Sequence, residues 1–373
     1  MKKNLIALAV FGAFSGAALA QSNVTLYGII DVGYAYIDPS SGSISSTKGI
    51  NSGIQSGNRW GIRGSEALSP NLNAVFTIEG GFNLDTGTLG QGSAACTGTP
   101  ITATNSIICS GATQSRLFGR QAWGGLSGGW GTAVAGRVAT FSSGTGSFDM
   151  VGPIDPFGTG FGGYGGWLAS SANALRLDNA VLYQSPTFGG FKFGAGYSFN
   201  ASGAEVAGSG NNLDIWFTGA SFAAGPFYAA IAYDKFDVQG ASDDQSNLTL
   251  GATFDLRFVK LHAGYSKEDN QRVFNVVGIT SGADADSFMV GLTVPLLGGS
   301  LFGSWQKYDG DRVTLTPTTF DERDAKVYGI GYTYPLSRRT NLYAAFARNN
   351  AEESINNTAF DRKQYAIGMR HLF

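Results

Sequence analysis

From Val24 to Phe373 the apolar residues of this 373-residue chain are plentiful but rarely contiguous; they alternate with small or polar ones. In Val24–Tyr36, Leu26, Gly28, Ile30, Val32, Tyr34 and Tyr36 share one face, and Tyr27, Ile29, Asp31 and Ala35 the other. A period of two describes a strand with one oily and one wet face. About sixteen such segments succeed one another with no dividing linker, many of them about 9–11 residues long, the length of a tilted strand that crosses a bilayer. They include Asn58–Glu66, Leu72–Leu84, Ser115–Leu126, Trp130–Ala139, Leu175–Gln184 and, at the end, Arg362–Phe373. Short turn-like connections (67–71, 127–129, 185–190, 223–226) alternate with long Gly/Ser-rich ones (37–57, 85–114, 140–174). In hydrocarbon every backbone donor and acceptor needs a partner, so an open sheet edge is forbidden and the first segment must pair with the last. The sequence therefore predicts an all-β fold, a transmembrane antiparallel β-barrel of 16 strands, wide enough to leave an aqueous channel. A soluble sandwich would need neither lone aromatic and aliphatic residues on one face of every strand nor long loops at alternate junctions only.

The two ends agree. Lys2 and Lys3, the apolar run Leu5–Leu19 and the small residues of Ala18-Leu19-Ala20 read as a secretory signal peptide over residues 1–20. The barrel domain is then 21–373, with Gln21 first. The last strand alternates Tyr365, Ile367 and Met369 with Ala366, Gly368 and Arg370 and stops at the ring of Phe373. Fifty-five glycines and 13% aromatics, with only 14% charged residues, suit many strands and turns rather than a helical bundle. A formal net charge of −2, made more negative by loss of the two lysines, excludes a nucleic-acid binder driven by net charge. Cys96 and Cys109 are the only cysteines. In an oxidising compartment they are expected to close one small loop; two free thiols are the other reading.

Several stretches are familiar as a set: Val24-Thr25-Leu26-Tyr27-Gly28, Arg59-Trp60-Gly61-Ile62-Arg63-Gly64-Ser65-Glu66, Glu79-Gly80-Gly81-Phe82-Asn83, Arg116-Leu117-Phe118-Gly119-Arg120-Gln121-Ala122, Ser185-Pro186 and Gly368-Met369-Arg370-His371-Leu372-Phe373. In this order they resemble the general diffusion porins of β-proteobacteria, related to the neisserial porins, over essentially the whole chain after the signal peptide. The resemblance implies a homotrimer in the outer membrane of a Gram-negative bacterium. It implies passive passage of ions and small hydrophilic solutes, and a third long loop folded into the lumen as a constriction. It also implies outer-membrane lipid and lipopolysaccharide as surroundings, a loop 85–114 that latches a neighbouring subunit, and Phe373 as the signal read by the barrel-assembly machinery.

Strand parity puts Arg59 and Arg63 opposite Trp60 and Ile62, Arg116 and Arg120 opposite Leu117 and Trp123, Arg137 opposite Val134 and Val138, and Arg176 opposite Leu177, Val181 and Tyr183. An arginine facing lipid near the midplane costs about 2–4 kcal/mol, so all six are assigned to the lumen. By resemblance, Arg59, Arg116 and Arg176 match the arginine ladder of the constriction, and Arg137 a supporting wall position. Loop 140–174 carries Phe141, Phe148, Phe157, Phe161, Tyr164 and Trp167, rings that favour folding inward over exposure. Its only carboxylates are Asp149 and Asp155; where Pro156 stands, many relatives carry a Glu. Guanidiniums facing carboxylates across a narrow gap would orient dipolar solutes and tune ion preference. Mild anion preference is expected, with Glu79, Asp31 and Asp178 facing inward and neutralising part of the ladder. These ion pairs would equally brace the loop.

Other function classes find little purchase. His262 and His371 are the only histidines, and neither adjoins a nucleophile-elbow serine. The glycines are dispersed rather than gathered into a phosphate-binding loop, and no Cys/His cluster suggests zinc. No catalytic residue, metal or cofactor is expected. A plugged barrel would line its lumen with bulky interlocking side chains rather than Gly, Ala, Ser and Thr. The nearer alternative is a solute-specific outer-membrane channel.

Overall fold

Closure comes from the two ends of the chain. In the computed structural model, the first strand, β1 (Asn23–Pro39), pairs antiparallel with the last, β21 (Arg362–Leu372), from Ile29↔Leu372 to Pro39↔Arg362. Gly28 and Phe373 then exchange two backbone hydrogen bonds of 3.1 Å. The structure describes residues 23–39, 45–90, 92–93, 114–158, 161, 164–167, 176–201, 203, 212–238, 244–271, 283–310, 313–315, 319–321, 324–351 and 362–373. The expected signal peptide and both cysteines lie outside the described residues.

The elements between run as alternating hairpins. They are β2 (Thr47–Ser52), β3 (Arg59–Ser69), β4 (Leu72–Gly81), the two-residue pair β5 (Gly92–Ser93) and β6 (Gln114–Ser115), β7 (Gln121–Gly128), β8 (Gly131–Val138) and β9 (Leu177–Gln184). Next come β10 (Phe191–Ser198), β11 (Leu213–Ala224), β12 (Phe227–Val238), β13 (Gln245–Asp255), β14 (Lys260–Gln271), β15 (Ala283–Leu296) and β16 (Gly299–Gly310). A small ladder of β17 (Val313–Leu315) and β18 (Thr319–Asp321) precedes β19 (Ala325–Pro335) and β20 (Thr340–Ala351). Seventeen of these strands form one sheet. β2 and β3 lie end to end along the same edge of β1, pairing with Val32–Ile37 and Asn23–Ile29 respectively. The sheet therefore has sixteen staves, the second broken into two pieces. The composition of 37–57 predicts a loop throughout; residues 47–52 instead supply the upper half of that stave.

The two faces separate as the period of two requires. Leu26, Tyr34, Phe193, Trp216, Val290 and Ile367 point outward and are exposed, whereas Asp31, Glu79, Ser198, Asp234, Ser266 and Gln306 point inward and are buried. Outward aromatics gather at two levels. Phe188, Phe191, Phe193, Phe222 and Phe227 cluster beside the short turns, with ring centroids 4.4–6.3 Å apart. Tyr197–Trp216 (4.4 Å), Tyr265–Phe288 (5.0 Å) and Phe346–Tyr365 (4.9 Å) stand nearer the other end of their strands. Two aromatic belts flanking an apolar band are the signature of a barrel seated in a bilayer.

Part of the interior is occupied by the loop between β8 and β9. Its six aromatic side chains are all buried, none more than 7% exposed. Phe141, Phe148, Met150, Val151, Ile154 and Trp167 pack against the inner wall through Leu177, Leu182, Ile215, Phe217 and Met289. Phe157, Phe161 and Tyr164 pack against Phe302, Tyr343, Ala345 and Ala366. The wall makes room with small residues. A Cβ on Gly219 would lie 2.7 Å from that of Phe141, and one on Gly264 2.6 Å from the Trp167 ring. Pro156 fills the space over Gly291 in the same way, within 2.6 Å of where a Cβ would stand. Polar wall side chains take the loop's carbonyls: His262 Nδ1 lies 2.8 Å from the Ile154 oxygen, Gln306 Nε2 donates to Gly165 (2.7 Å) and Gly166 (3.0 Å), and Tyr228 donates to Met150 (2.5 Å). An unpaired carbonyl buried there would cost about 1–3 kcal/mol.

Candidate functional site: an arginine-lined eyelet

Beside the loop lies a polar gap. It is a cavity of about 420 Å³, lined on the wall side by Ser56, Gly57, Arg59, Arg120 and Arg176 and on the loop side by Gly144, Thr145, Gly146 and Asp149. Arg59 opens β3 on the inward face, and its Nε donates to the Gly57 carbonyl at 3.0 Å. Arg176 immediately precedes β9 and donates to Thr145 Oγ1 at 3.2 Å. Arg120 precedes β7 and is almost fully buried; its Nε meets Glu79 Oε1 at 2.6 Å, and Glu79 accepts a second bond from the Tyr27 hydroxyl at 2.9 Å. Removing one partner of so buried a pair would strand the other charge, at a cost of about 3–5 kcal/mol.

Arg116 and Arg137 do not line this cavity. Both turn to Asp178 Oδ1, at 2.6 and 2.5 Å, and Arg137 also donates to the Gly119 carbonyl at 2.8 Å. Arg120 lines the cavity and Arg116 does not. Arg63 lies outside the cavity too, its guanidinium 5.2 Å from the Tyr27 ring centre.

Strand parity does not hold between Arg116 and Arg176, for a local reason. Residues 116–120 are not strand, so the alternation restarts at Gln121. Trp123, expected to face lipid, instead packs on Phe148 with ring centroids 5.3 Å apart and donates to Gln121 Oε1. Val134, Val138 and Leu177, also expected outside, are buried under the loop. The β8–β9 register slips between Gly136 and Val138, and Asn179 takes a positive φ of 47°. A bulge adds a residue to one strand and reverses the facing of the residues beyond it. Arg137 pairs with Ala122, and Ala122 with Ile78, away from the face shared by Glu79 and Gln121.

The loop carboxylates are spent on the loop itself. Asp149 accepts backbone N–H bonds from Gly144 (2.8 Å), Val151 (3.2 Å) and Gly152 (2.9 Å). Asp155 accepts those of Phe157 and Trp167, each at 2.9 Å. Burial outweighs these donors and pushes both carboxyls up to about 6. The expected face-off of arginine and carboxylate is therefore lopsided. Among the described residues no carboxylate lies within ion-pair distance of Arg59 or Arg176. Asp31, inward-facing as expected, is held by Tyr343 (2.7 Å) and the Ser56 N–H (2.5 Å).

Sequence reading missed the contribution of Ser56 and Gly57 to the cavity's wall, and the support of Arg370, whose guanidinium donates to Ser56 Oγ at 3.1 Å. The only signal available was that Gly53, Gly57 and Asn58 are turn-forming residues at the junction of the Gly/Ser-rich stretch 37–57 and the alternating one that follows.

Residues 7–354 match the Gram-negative porin family. The chain is 36% identical over its whole length to an outer membrane porin protein of Bordetella pertussis, all of which is covered. It is 31% identical, over 95% of this chain and 92% of the relative, to outer membrane porin protein 32 of Delftia acidovorans. Among solved structures, the anion-selective porin from Comamonas acidovorans superposes with a TM-score of 0.71 at 23% identity, covering 95% of this chain and all of that one. A closed antiparallel barrel with two aromatic belts, a loop packed into its lumen and agreement from end to end lead to one conclusion: this chain belongs to the Gram-negative porin family and is an outer-membrane channel protein.

Proposed function

We propose that the channel is a water-filled, passive one that prefers anions, with Arg59, Arg120 and Arg176 lining its narrowest part. The observation that carries this is the imbalance of charge. Arg59 and Arg176 face the cavity with no carboxylate at ion-pair distance among the described residues, while Asp149 and Asp155 are turned into the loop's own backbone. A cationic eyelet with low-dielectric walls concentrates anions and repels cations. Arg116, Arg137 and Asp178 brace the barrel beside the loop. Arg63 adds positive charge on the same strand face as Arg59, and Glu79 holds Arg120 in place. The anion-selective neighbour has the same fold, which agrees with this reading.

The assembly is a homotrimer, in keeping with the exposed apolar strip of Leu26, Tyr34, Ile367 and Met369 across β1 and β21 and with a trimer-form Vibrio cholerae outer membrane protein of like fold. Its surroundings are outer-membrane lipid and lipopolysaccharide, and its C-terminal strand with Phe373 is what the barrel-assembly machinery engages. Residues 1–20 are removed on export, Cys96 and Cys109 join within loop 85–114, and the barrel performs no chemistry on its solutes. The test is a planar bilayer. Three equal conductance steps per insertion and a reversal potential of anionic sign in a KCl gradient are expected. Cation preference would overturn the assignment, and saturation by one solute would favour a solute-specific channel.

A further inference from the structure

We infer that the break in the second stave, Gly53–Asn58, is a second jaw of the eyelet, setting its width and aiming Arg59 from the barrel wall. The inference rests on the channel reading above but concerns a different part of the wall.

Ser52 pairs with Val32 and Arg59 pairs with Ile29. Six residues on the broken stave thus span the distance that Ile30 and Asp31 cover on β1. Such an excursion should orphan the Asp31 peptide groups, each a costly loss in a membrane-embedded sheet. It does not, because Asn58 replaces the missing strand. Its Oδ1 accepts the Asp31 N–H, and its Nδ2 donates to the Asp31 carbonyl at 3.0 Å, a primary amide standing in for a peptide unit. Gly53 N–H adds a bond of 2.9 Å to the same carbonyl, and its φ of 69° starts the departure.

The excursion is held rigidly from several directions. Ile54 is buried in the cluster that receives Phe157, Phe161 and Tyr164. The Gln55 carbonyl accepts the Phe161 N–H at 3.1 Å, so jaw and loop are directly bonded. Asn341 Nδ2 donates to Gln55 Oε1 at 2.8 Å, Arg370 donates to Ser56 Oγ, and the Asp31 carboxylate accepts the Ser56 N–H. At the tip the Gly57 carbonyl holds Arg59 Nε, and a Cβ on Gly57 would stand 3.2 Å from Arg120 Nη1. Ser56 and Gly57 line the same cavity as Gly144–Gly146. A wall that only closed the barrel would need none of this; an unbroken strand would serve.

Ser56→Cys decides the matter, with wild type treated in parallel to account for Cys96 and Cys109. The trimer is exposed in bilayers to two small water-soluble thiosulfonates of similar size, one sulfonate-bearing and one trimethylammonium-bearing, and labelling is counted by mass spectrometry. Both reagents should label the introduced thiol and lower single-channel conductance to about half or less. The sulfonate should weaken anion preference and the ammonium strengthen it. Asn58→Ala should raise conductance noise and lower anion preference as Gly57 releases Arg59. Labelling without a change in current, or no labelling at all, would place Ser56 away from the narrowing and overturn the inference. A wild-type channel without conductance would instead overturn the channel reading itself.

Discussion

Replacing Arg59 and Arg176 together by alanine probes the eyelet's charge most directly. A cavity of about 420 Å³ has the volume of a sphere about 4.6 Å in radius, which sets each guanidinium charge about 6 Å from the path of a permeating ion and gives it about 0.7 kcal/mol at the dielectric of water. Screening at 0.1 M salt, with a Debye length of about 10 Å, leaves about 0.4 kcal/mol. The energy has opposite sign for anion and cation, so each arginine shifts the anion-to-cation permeability ratio by about 0.8 kcal/mol, about fourfold. The pair should shift it about fifteenfold if the two act independently. Near 1 M, where the Debye length is about 3 Å, the pair should shift it only about twofold. Reversal potentials in shallow KCl gradients at the two salt levels measure both numbers. Arg116→Ala serves as the control, since its charge is already matched at Asp178. Selectivity that survives the double substitution, or that Arg116→Ala removes equally well, would refute the assignment, as would an effect that ignores salt.

The packing and the loop carboxyls lead to further outcomes. Gly219→Val should lift Phe141 from its seat, since even a Cβ would lie 2.7 Å from the Phe141 Cβ. The overpacking should cost about 1–3 kcal/mol, and single-channel records should show a noisier open state. Asp149 and Asp155 titrate at about 6 in the seated loop against an ordinary 3.8. A carboxyl that holds its proton more tightly when packed stabilises packing below about pH 4 and loses that stabilisation as pH rises through about 6. Loop-dependent current fluctuations should therefore grow from about pH 4 to about pH 7, and Asp149→Asn with Asp155→Asn should flatten the trend; fluctuations that grow in the opposite direction would contradict it. Gly28→Leu should impair barrel closure, because a Cβ there would collide with the Phe373 ring at 2.2 Å. The fraction of folded, heat-modifiable protein on a gel should fall, and an unchanged fraction would show that the ring moves aside freely.

Alternation alone sufficed for the barrel and its closure. A residue's face in a regular strand depends only on its position counted along the chain, so Leu26, Asp31, Arg59 and Glu79 could be sorted from sequence. The rings of Phe141, Phe157 and Trp167 had to leave water, and a channel interior was the place available. Tertiary structure decided the rest, wherever the count is interrupted. The irregular 116–120 segment and the slip after Gly136 moved Trp123 and Leu177 inside, turned Arg137 to Asp178, and brought Arg120 rather than Arg116 to the cavity. Which carboxylates remain to face the arginines was equally hidden. Asp149 and Asp155 are bound by N–H groups that converge on them only when the loop folds, and the Asn58 amide becomes a piece of β-sheet only because Asp31 lies beside it with no partner in β2 or β3.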